Sequence, residues 1–545
     1  MRFGRVCARP GSRERSWRRA SSFAPGPFAH RSLPLLSRAS VAAGTVRDVY
    51  GRVLSVAVVG IRGRVVSVEA HVGRGLPALV VTGLPGAGVQ DARDRVRPAV
   101  ESSGLTWPLR RVVVNLCPAS VRKEGPGFDL PVALGVLAAS AQVPADRLER
   151  FAFCGELSLK GELIATPGVL AVAMAAAEAG LQGVAVPEAN AEEARLVEGL
   201  EVVGAPSLAA VVGFLRGTLR PEDVEYGGAP AAPHATASPP NSAGVAGEAL
   251  VDFAEVRGQA AGRRAMEIAA AGGHNVLMVG PPGAGKTMLA RRLPTILPAM
   301  TRREALEVTR LHSVAGVLRG GLVSERPFRS PHHSVSAAAL LGGGAGLARP
   351  GEVSLAHNGV LFLDEFTEFR RDAVEGLRQP LEDGSVVIAR SAGVAEFPAR
   401  FTLVAASNPC PCGFDGDSRR ACRCQPNRLL AYRGRLSGPL LDRVEVARER
   451  QRRRLADGPW SSNAQMPGAV IRARARLSGD AAEVLAAAVE RLALSGRGFD
   501  RAIRVARTVA DLEGSDDVGA DHIAEALGYR AFSSSDAGDP GAAAG

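Results

Sequence analysis

Asn275-Val-Leu-Met-Val-Gly280-Pro-Pro-Gly-Ala-Gly-Lys286-Thr287 decides the fold. A short apolar run passes directly into G-x-x-x-x-G-K-T, and Thr287-Met-Leu-Ala-Arg-Arg-Leu continues as a helix. Strand, glycine loop and helix together are the setting of a phosphate-binding P-loop. Backbone N–H groups of Gly280, Pro281, Pro282, Gly283, Ala284 and Gly285 (the prolines excepted) can close around phosphate oxygens, because no Cβ obstructs the glycines. The helix N-terminus adds partial positive charge. Lys286 is placed to reach the β- and γ-phosphates, and the Thr287 hydroxyl to bind Mg²⁺.

Downstream, Val360-Leu-Phe-Leu-Asp364-Glu365 reads as a central parallel strand, apolar because both faces are buried. Ligands in open α/β sheets sit at such strand ends. Asp364 is expected in the Mg²⁺ shell, and Glu365 is expected to orient and polarise the attacking water. Phe401-Thr-Leu-Val-Ala-Ala-Ser-Asn408 is a further buried strand. Its terminal amide can hydrogen-bond both the water and the γ-phosphate.

Other stretches are less specific. Ser385-Val-Val-Ile-Ala-Arg390-Ser-Ala-Gly-Val-Ala-Glu-Phe-Pro398 reads as a hairpin with Arg390 near its tip. It is either a solvated hairpin or a device that touches phosphates without reading sequence. His332 and His333 have no carboxylate at metal spacing and read as structural.

Composition sets bounds. The 545 residues are 46% hydrophobic, enough for several cores. No uncharged apolar run reaches the roughly 18 residues that span a bilayer, so no membrane partner is expected. The net charge of +11 is concentrated at one end. Residues 1–48 hold ten Arg against Glu14 and Asp48, so the basic balance does not mark the body as a nucleic-acid binder. Three readings fit residues 1–48: a disordered basic arm, a transit peptide, or a mis-assigned start with a GTG codon read as an internal valine. The last is favoured.

Cys410-Pro-Cys412 and Cys422-Arg-Cys424 lie nine residues apart. In a reducing compartment four clustered thiols suggest Zn²⁺. The C-x-C spacing is tighter than usual, and reduced, unliganded thiols remain the alternative.

The expected organisation is an α/β block over 50–216, a Pro/Gly/Ser-rich linker over 217–247, the P-loop domain over 248–445, a helical block over 446–530 and a tail over 531–545. Val53–Ile61 pairs with Val65–His71, Arg111–Leu116 is another strand, and Asp129–Ser140 and Gly168–Gly180 are helices. Ala481–Leu494 and Asp500–Glu513 each carry an apolar face.

Arg122-Lys-Glu-Gly-Pro-Gly127-Phe-Asp-Leu130 resembles the segment around the nucleophile of Lon-type proteases, but Gly127 stands where the serine would be. Acyl transfer needs that nucleophile. A noncatalytic Lon-like domain of the ribosomal-protein-S5 type is expected.

Together with Arg326-Pro-Phe-Arg-Ser-Pro-His-His333, Asn408-Pro-Cys-Pro-Cys-Gly413, Ser437-Gly-Pro-Leu-Leu-Asp-Arg443 and Arg504–Leu512, these motifs resemble the magnesium-chelatase-like AAA+ ATPases of the YifB/ComM type, from Tyr50 to Arg530. The resemblance implies a multidomain α/β fold: an S5-domain-2-like N-terminal domain, an AAA+ P-loop core and a C-terminal helical lid. It implies ATP and Mg²⁺, a homo-hexameric ring, and DNA helicase or branch-migration activity without sequence specificity, in the bacterial cytoplasm. It implies that Arg443 is an arginine finger acting on a neighbour's ATP and Arg497 a sensor-2 arginine. Members tend to begin near Tyr50.

One departure stands out. After Arg443 the family continues with a hydrophobic strand and several tens of residues, whereas here Val444-Glu-Val-Ala-Arg-Glu-Arg-Gln451 follows at once. A five-stranded sheet without its edge strand exposes apolar surface. The rival expectation is therefore an ATP-binding protein with impaired hydrolysis. A chelatase subunit is a weaker alternative, since such subunits lack the S5-like domain and the cysteine cluster.

Overall fold

The computed structural model describes residues 49–219, 252–344, 348–390, 393–415, 420–425 and 462–529. The basic segment 1–48, nearly all of the linker, Arg443 with the join that follows it, and the tail lie outside the described residues.

The first block is built on a seven-stranded sheet. Its strands are β1 (Val49–Val59), β2 (Arg62–Gly73), β3 (Ala78–Thr82), β4 (Arg111–Cys117), β5 (Phe151–Phe153), β6 (Gly183–Pro187) and β7 (Glu201–Ala205), in the order β3-β4-β2-β1-β5-β6-β7. β1 and β2 form an antiparallel hairpin and β4 runs antiparallel to β2, while β5, β6 and β7 run parallel. Valine-rich alternation explains the hairpin, since β-branched side chains fit a pleated surface with one face buried. Helix α1 (Asp129–Ala139) is buried over almost its whole surface. Helix α2 (Val169–Glu178) is alanine-rich, which lets it lie close on the sheet.

The second block carries a four-stranded, all-parallel sheet. Its members are β8 (Val276–Val279), β9 (Phe328–Arg329), β10 (Val360–Leu363) and β13 (Thr402–Ser407), in the order β8-β13-β10-β9. Every residue of β10 and β13 is buried, as expected for central strands covered on both faces. Each residue of β8 is only half-buried, and β8 is one of the two edge strands of this sheet among the described residues, β9 being the other. Between β10 and β13 a hairpin of β11 (Ser385–Arg390) and β12 (Gly393–Pro398) buries Val386, Ile388, Ala395 and Phe397 on one face.

Around this sheet lie α3 (Ala260–Gly272), α4 (Lys286–Arg292) and α5 (Arg302–Ala315). Thr301 and Glu304 cap α5 reciprocally, satisfying two otherwise orphaned N–H groups. The two sheet blocks meet through a buried carboxylate. Glu193 accepts from the Leu170 N–H of α2 at 2.7 Å and from the Ser313 hydroxyl of α5. Burial pushes its pKa up, against these donors.

The third block is helical: α6 (Gly479–Arg491), α7 (Gly496–Leu512) and α8 (Ala520–Gly528). Ser478 and Ser495 cap α6 and α7. Arg264 of α3 bridges to Glu525 of α8 at 2.9 Å and to Glu513 at 3.2 Å, tying this block to the parallel sheet. Among the described residues no helix is long and apolar enough to cross a membrane.

Candidate functional site

Parallel pairing brings three strand ends together. Val279 of β8 stands beside Ser407 of β13, and Leu363 of β10 beside Ala405. The next residues along are therefore Gly280, Asn408 and Asp364, which emerge together at the carboxyl end of the sheet. The Gly280 N–H donates to the Ser407 carbonyl at 3.3 Å, continuing the ladder into the loop. Gly283 and Gly285 then adopt φ of 80° and 78°, a left-handed backbone that L side chains rarely take. The chain turns sharply there and enters α4 at Lys286.

Lys286 folds back over its own loop. Its ammonium donates to the Gly280 carbonyl, to the Pro281 carbonyl at 3.0 Å and to Asn408 Oδ1 at 3.2 Å. Partial burial lowers its pKa, while the negative charge of Asp364 opposes that shift. Thr287 Oγ1 donates to Asp364 Oδ2 at 2.8 Å. A hydroxyl and a carboxylate in contact are the hard oxygen donors that Mg²⁺ takes alongside phosphates. The residues present thus fit a nucleoside triphosphate with its magnesium.

Glu365 is exposed, with φ of 51°. Its N–H donates to Asp364 Oδ1 at 2.9 Å, which fixes the turn. One carboxylate oxygen, Oε2, lies 3.2 Å from His333 Nδ1. The sequence assigned His333 no such role. The two residues lie beyond separate strands, β9 and β10, which pair in parallel. His332 and His333 stack with ring centroids 4.0 Å apart.

The remaining expected residues are more dispersed. Arg497 is exposed in the first turn of α7, and no hydrogen bond or ion pair joins it to the phosphate loop among the described residues. Arg390 is exposed near the hairpin tip, as its position predicts. The outer face of the hairpin is formed by Val387, Ala389, Val394 and Glu396, whereas Arg390 alternates onto the side of Val386 and Ile388. At Gly127 a Cβ would come within 2.9 Å of Cys154 Sγ, so the position has neither a nucleophile nor room for one. The thiols of Cys410, Cys412, Cys422 and Cys424 gather within 4.8 Å of one another.

A parallel sheet with a glycine loop, a lysine and threonine opening the next helix, and an acidic neighbouring strand defines a P-loop protein of mixed α/β architecture. Models of the magnesium-chelatase subunit ChlI match residues 252–456, 68–190 and, for its C-terminal part, 435–530. The chain is 40% identical over 510 residues to the competence protein ComM of Haemophilus influenzae, covering 88% of this chain and 97% of the relative. It is 39% identical over 512 residues to the uncharacterised protein YifB of Escherichia coli, covering 87% and 96%. An uncharacterised Mycobacterium tuberculosis protein is 43% identical over 511 residues, covering 88% and 98%. The chain belongs to the magnesium-chelatase-like family of YifB and ComM. The alignment to the mycobacterial relative runs over 511 positions, yet 88% of 545 residues is about 480, so this chain leaves about 30 aligned positions unfilled.

Proposed function

We propose that this chain is an ATP-hydrolysing AAA+ motor that acts on DNA. The observation that supports it most is the convergence of Lys286, Thr287, Asp364 and Asn408 at the carboxyl end of the parallel sheet. On this reading the glycine loop binds the phosphates and Lys286 neutralises the β/γ oxygens. Thr287 and Asp364 hold the magnesium, which when bound supplies charge stabilisation at the transferring phosphoryl group. Glu365 orients the attacking water and accepts its proton, and Asn408 hydrogen-bonds the water or the γ-phosphate. Arg443 and Arg497 add positive charge to the transition state in a homo-hexameric ring, Arg443 from a neighbouring subunit.

DNA enters the proposal through the family. One relative is named a competence protein, and the YifB/ComM type is associated with branch migration of recombination intermediates. The exposed Arg390 near the tip of the β11–β12 hairpin would supply a sequence-independent contact to the DNA backbone inside a ring. The proposed setting is the bacterial cytoplasm. ATP hydrolysis by the purified chain, with and without branched DNA, tests this. Stimulation by DNA supports the motor, and equal rates count against it.

A second reading has its own support. The half-buried β8 edge and the unfilled aligned positions suit a core short of one strand, which binds ATP but turns it over poorly. Tight nucleotide binding without measurable hydrolysis favours that reading.

A further inference from the structure

The four cysteines form a second built site beside the nucleotide machinery. Cys410 lies two residues beyond Asn408 and is fully buried. Its sulfur is 3.3 Å from that of Cys412 and 3.7 Å from that of Cys422, and Cys412 and Cys422 are 3.6 Å apart. A disulfide requires about 2.05 Å, so these are separate thiols. Four ligands at a Zn–S distance of about 2.3 Å, arranged tetrahedrally, place neighbouring sulfurs about 3.8 Å apart. The spacing of these three sulfurs fits one small tetrahedral ion, and the Cys424 sulfur lies within 4.8 Å of the others. A multi-iron cluster spreads its thiolates over several metal atoms, which this compact set does not allow.

The surroundings suit thiolates. The Cys424 N–H donates to Cys422 Sγ at 3.4 Å. The Cys412 sulfur accepts from the N–H groups of Phe414 and Arg423. Such donors spread the negative charge that four thiolates leave on a divalent ion. The Arg420 guanidinium, 5.2 Å over the Phe414 ring, adds a nearby cation.

We infer that Cys410, Cys412, Cys422 and Cys424 bind one structural Zn²⁺ per chain, and that this clasp holds the phosphate loop and Asn408 in register. Binding releases the protons of whichever thiols are still protonated as they become ligands. The link to the loop is direct. Gly413 has φ of 85°, and a Cβ there would stand 2.8 Å from Pro282 Cδ and 2.9 Å from its Cγ. Only glycine lets this turn rest on the phosphate loop. The Gly413 N–H donates to the Cys410 carbonyl at 2.9 Å. On the other side of the clasp, Asn408 Oδ1 accepts from Lys286. The coupling rests on the nucleotide-binding reading above; the metal site does not.

The test uses the full chain from zinc-supplemented bacteria. Metal content is read by elemental mass spectrometry, and affinity for a fluorescent ATP analogue by anisotropy. We expect about one zinc per chain and none in the double variant Cys422→Ser/Cys424→Ser. Stripping zinc from the unaltered chain with a mercurial, which covers the case that the variant does not fold, should weaken nucleotide binding about tenfold. Gly413→Ala should retain its zinc yet bind nucleotide several-fold more weakly. A chain that binds nucleotide but carries under about a tenth of a zinc equivalent, or that carries iron instead, overturns the metal assignment. Full zinc with nucleotide affinity unchanged after stripping overturns the coupling. Full zinc with no nucleotide binding in either state supports the metal site and sinks the nucleotide reading.

Discussion

Thr287 Oγ1 and Asp364 Oδ2 lie 2.8 Å apart across 77 residues of chain. The contact follows from the parallel order β8-β13-β10, which sets the glycine loop and the acidic strand end two strands apart at the same carboxyl end of the sheet. Asp364→Asn keeps the shape and removes the charge. Losing a charge-assisted contact costs about 1.5–3 kcal/mol, so Mg²⁺-dependent nucleotide affinity should fall about tenfold to a hundredfold. Titration in Mg²⁺ and in EDTA checks this: the variant's two affinities should nearly coincide.

Alkaline pH should weaken nucleotide binding earlier than an ordinary lysine would allow. Burial lowers the Lys286 pKa from 10.5, and bound phosphates raise it again. The protonated form binds better, so affinity is complete below the free-state pKa. It is lost as pH rises from there to the bound-state value. Anisotropy measured across the alkaline range should show weakening that begins below pH 10.5, and Lys286→Arg should shift that onset upward.

Glu365→Gln should leave nucleotide affinity within about twofold and reduce turnover by at least about a hundredfold, the scale of a lost general base. His333→Ala should do the opposite. His333 occupies Glu365 Oε2 at 3.2 Å, the oxygen that would otherwise meet water, so removing it should raise basal turnover with affinity unchanged. Steady-state kinetics beside a binding isotherm separates the two effects.

Arg507 should dominate the stability of the helical block. Its guanidinium is almost wholly buried, pairs with Asp511 at 2.9 Å and donates to the carbonyls of Ala475, Asp516 and Ser515. Removing one partner of a buried ion pair costs about 3–5 kcal/mol. Arg507→Ala should therefore open the block locally. Amide exchange over residues 462–529 should accelerate by a factor of at least about a hundred, while the seven-stranded sheet stays protected.

Much of the candidate site's geometry was legible in the sequence. The glycine loop, Lys286, Thr287 and the run Val360–Glu365 are each contiguous, and short apolar strands ending in polar residues announce their own geometry. The pairing of Val53–Ile61 with Val65–His71 was readable from alternation; the strands extend to Val49–Val59 and Arg62–Gly73. Contacts made by tertiary pairing were not legible. His333 and Glu365 lie beyond separate strands, β9 and β10, which pair in parallel, and Glu193 reaches Ser313 across two blocks. Gly413 meets Pro282 because the end of β13 abuts the P-loop, a closeness that no local spacing encodes.

The most direct measurement is equilibrium binding of an ATP analogue to the folded full-length chain in Mg²⁺, beside Lys286→Ala. The account predicts saturable binding, one nucleotide per chain, weakened at least about tenfold in the variant as a charged phosphate contact is lost. A folded chain that takes up no nucleotide, or one whose affinity is indifferent to Lys286, would contradict it.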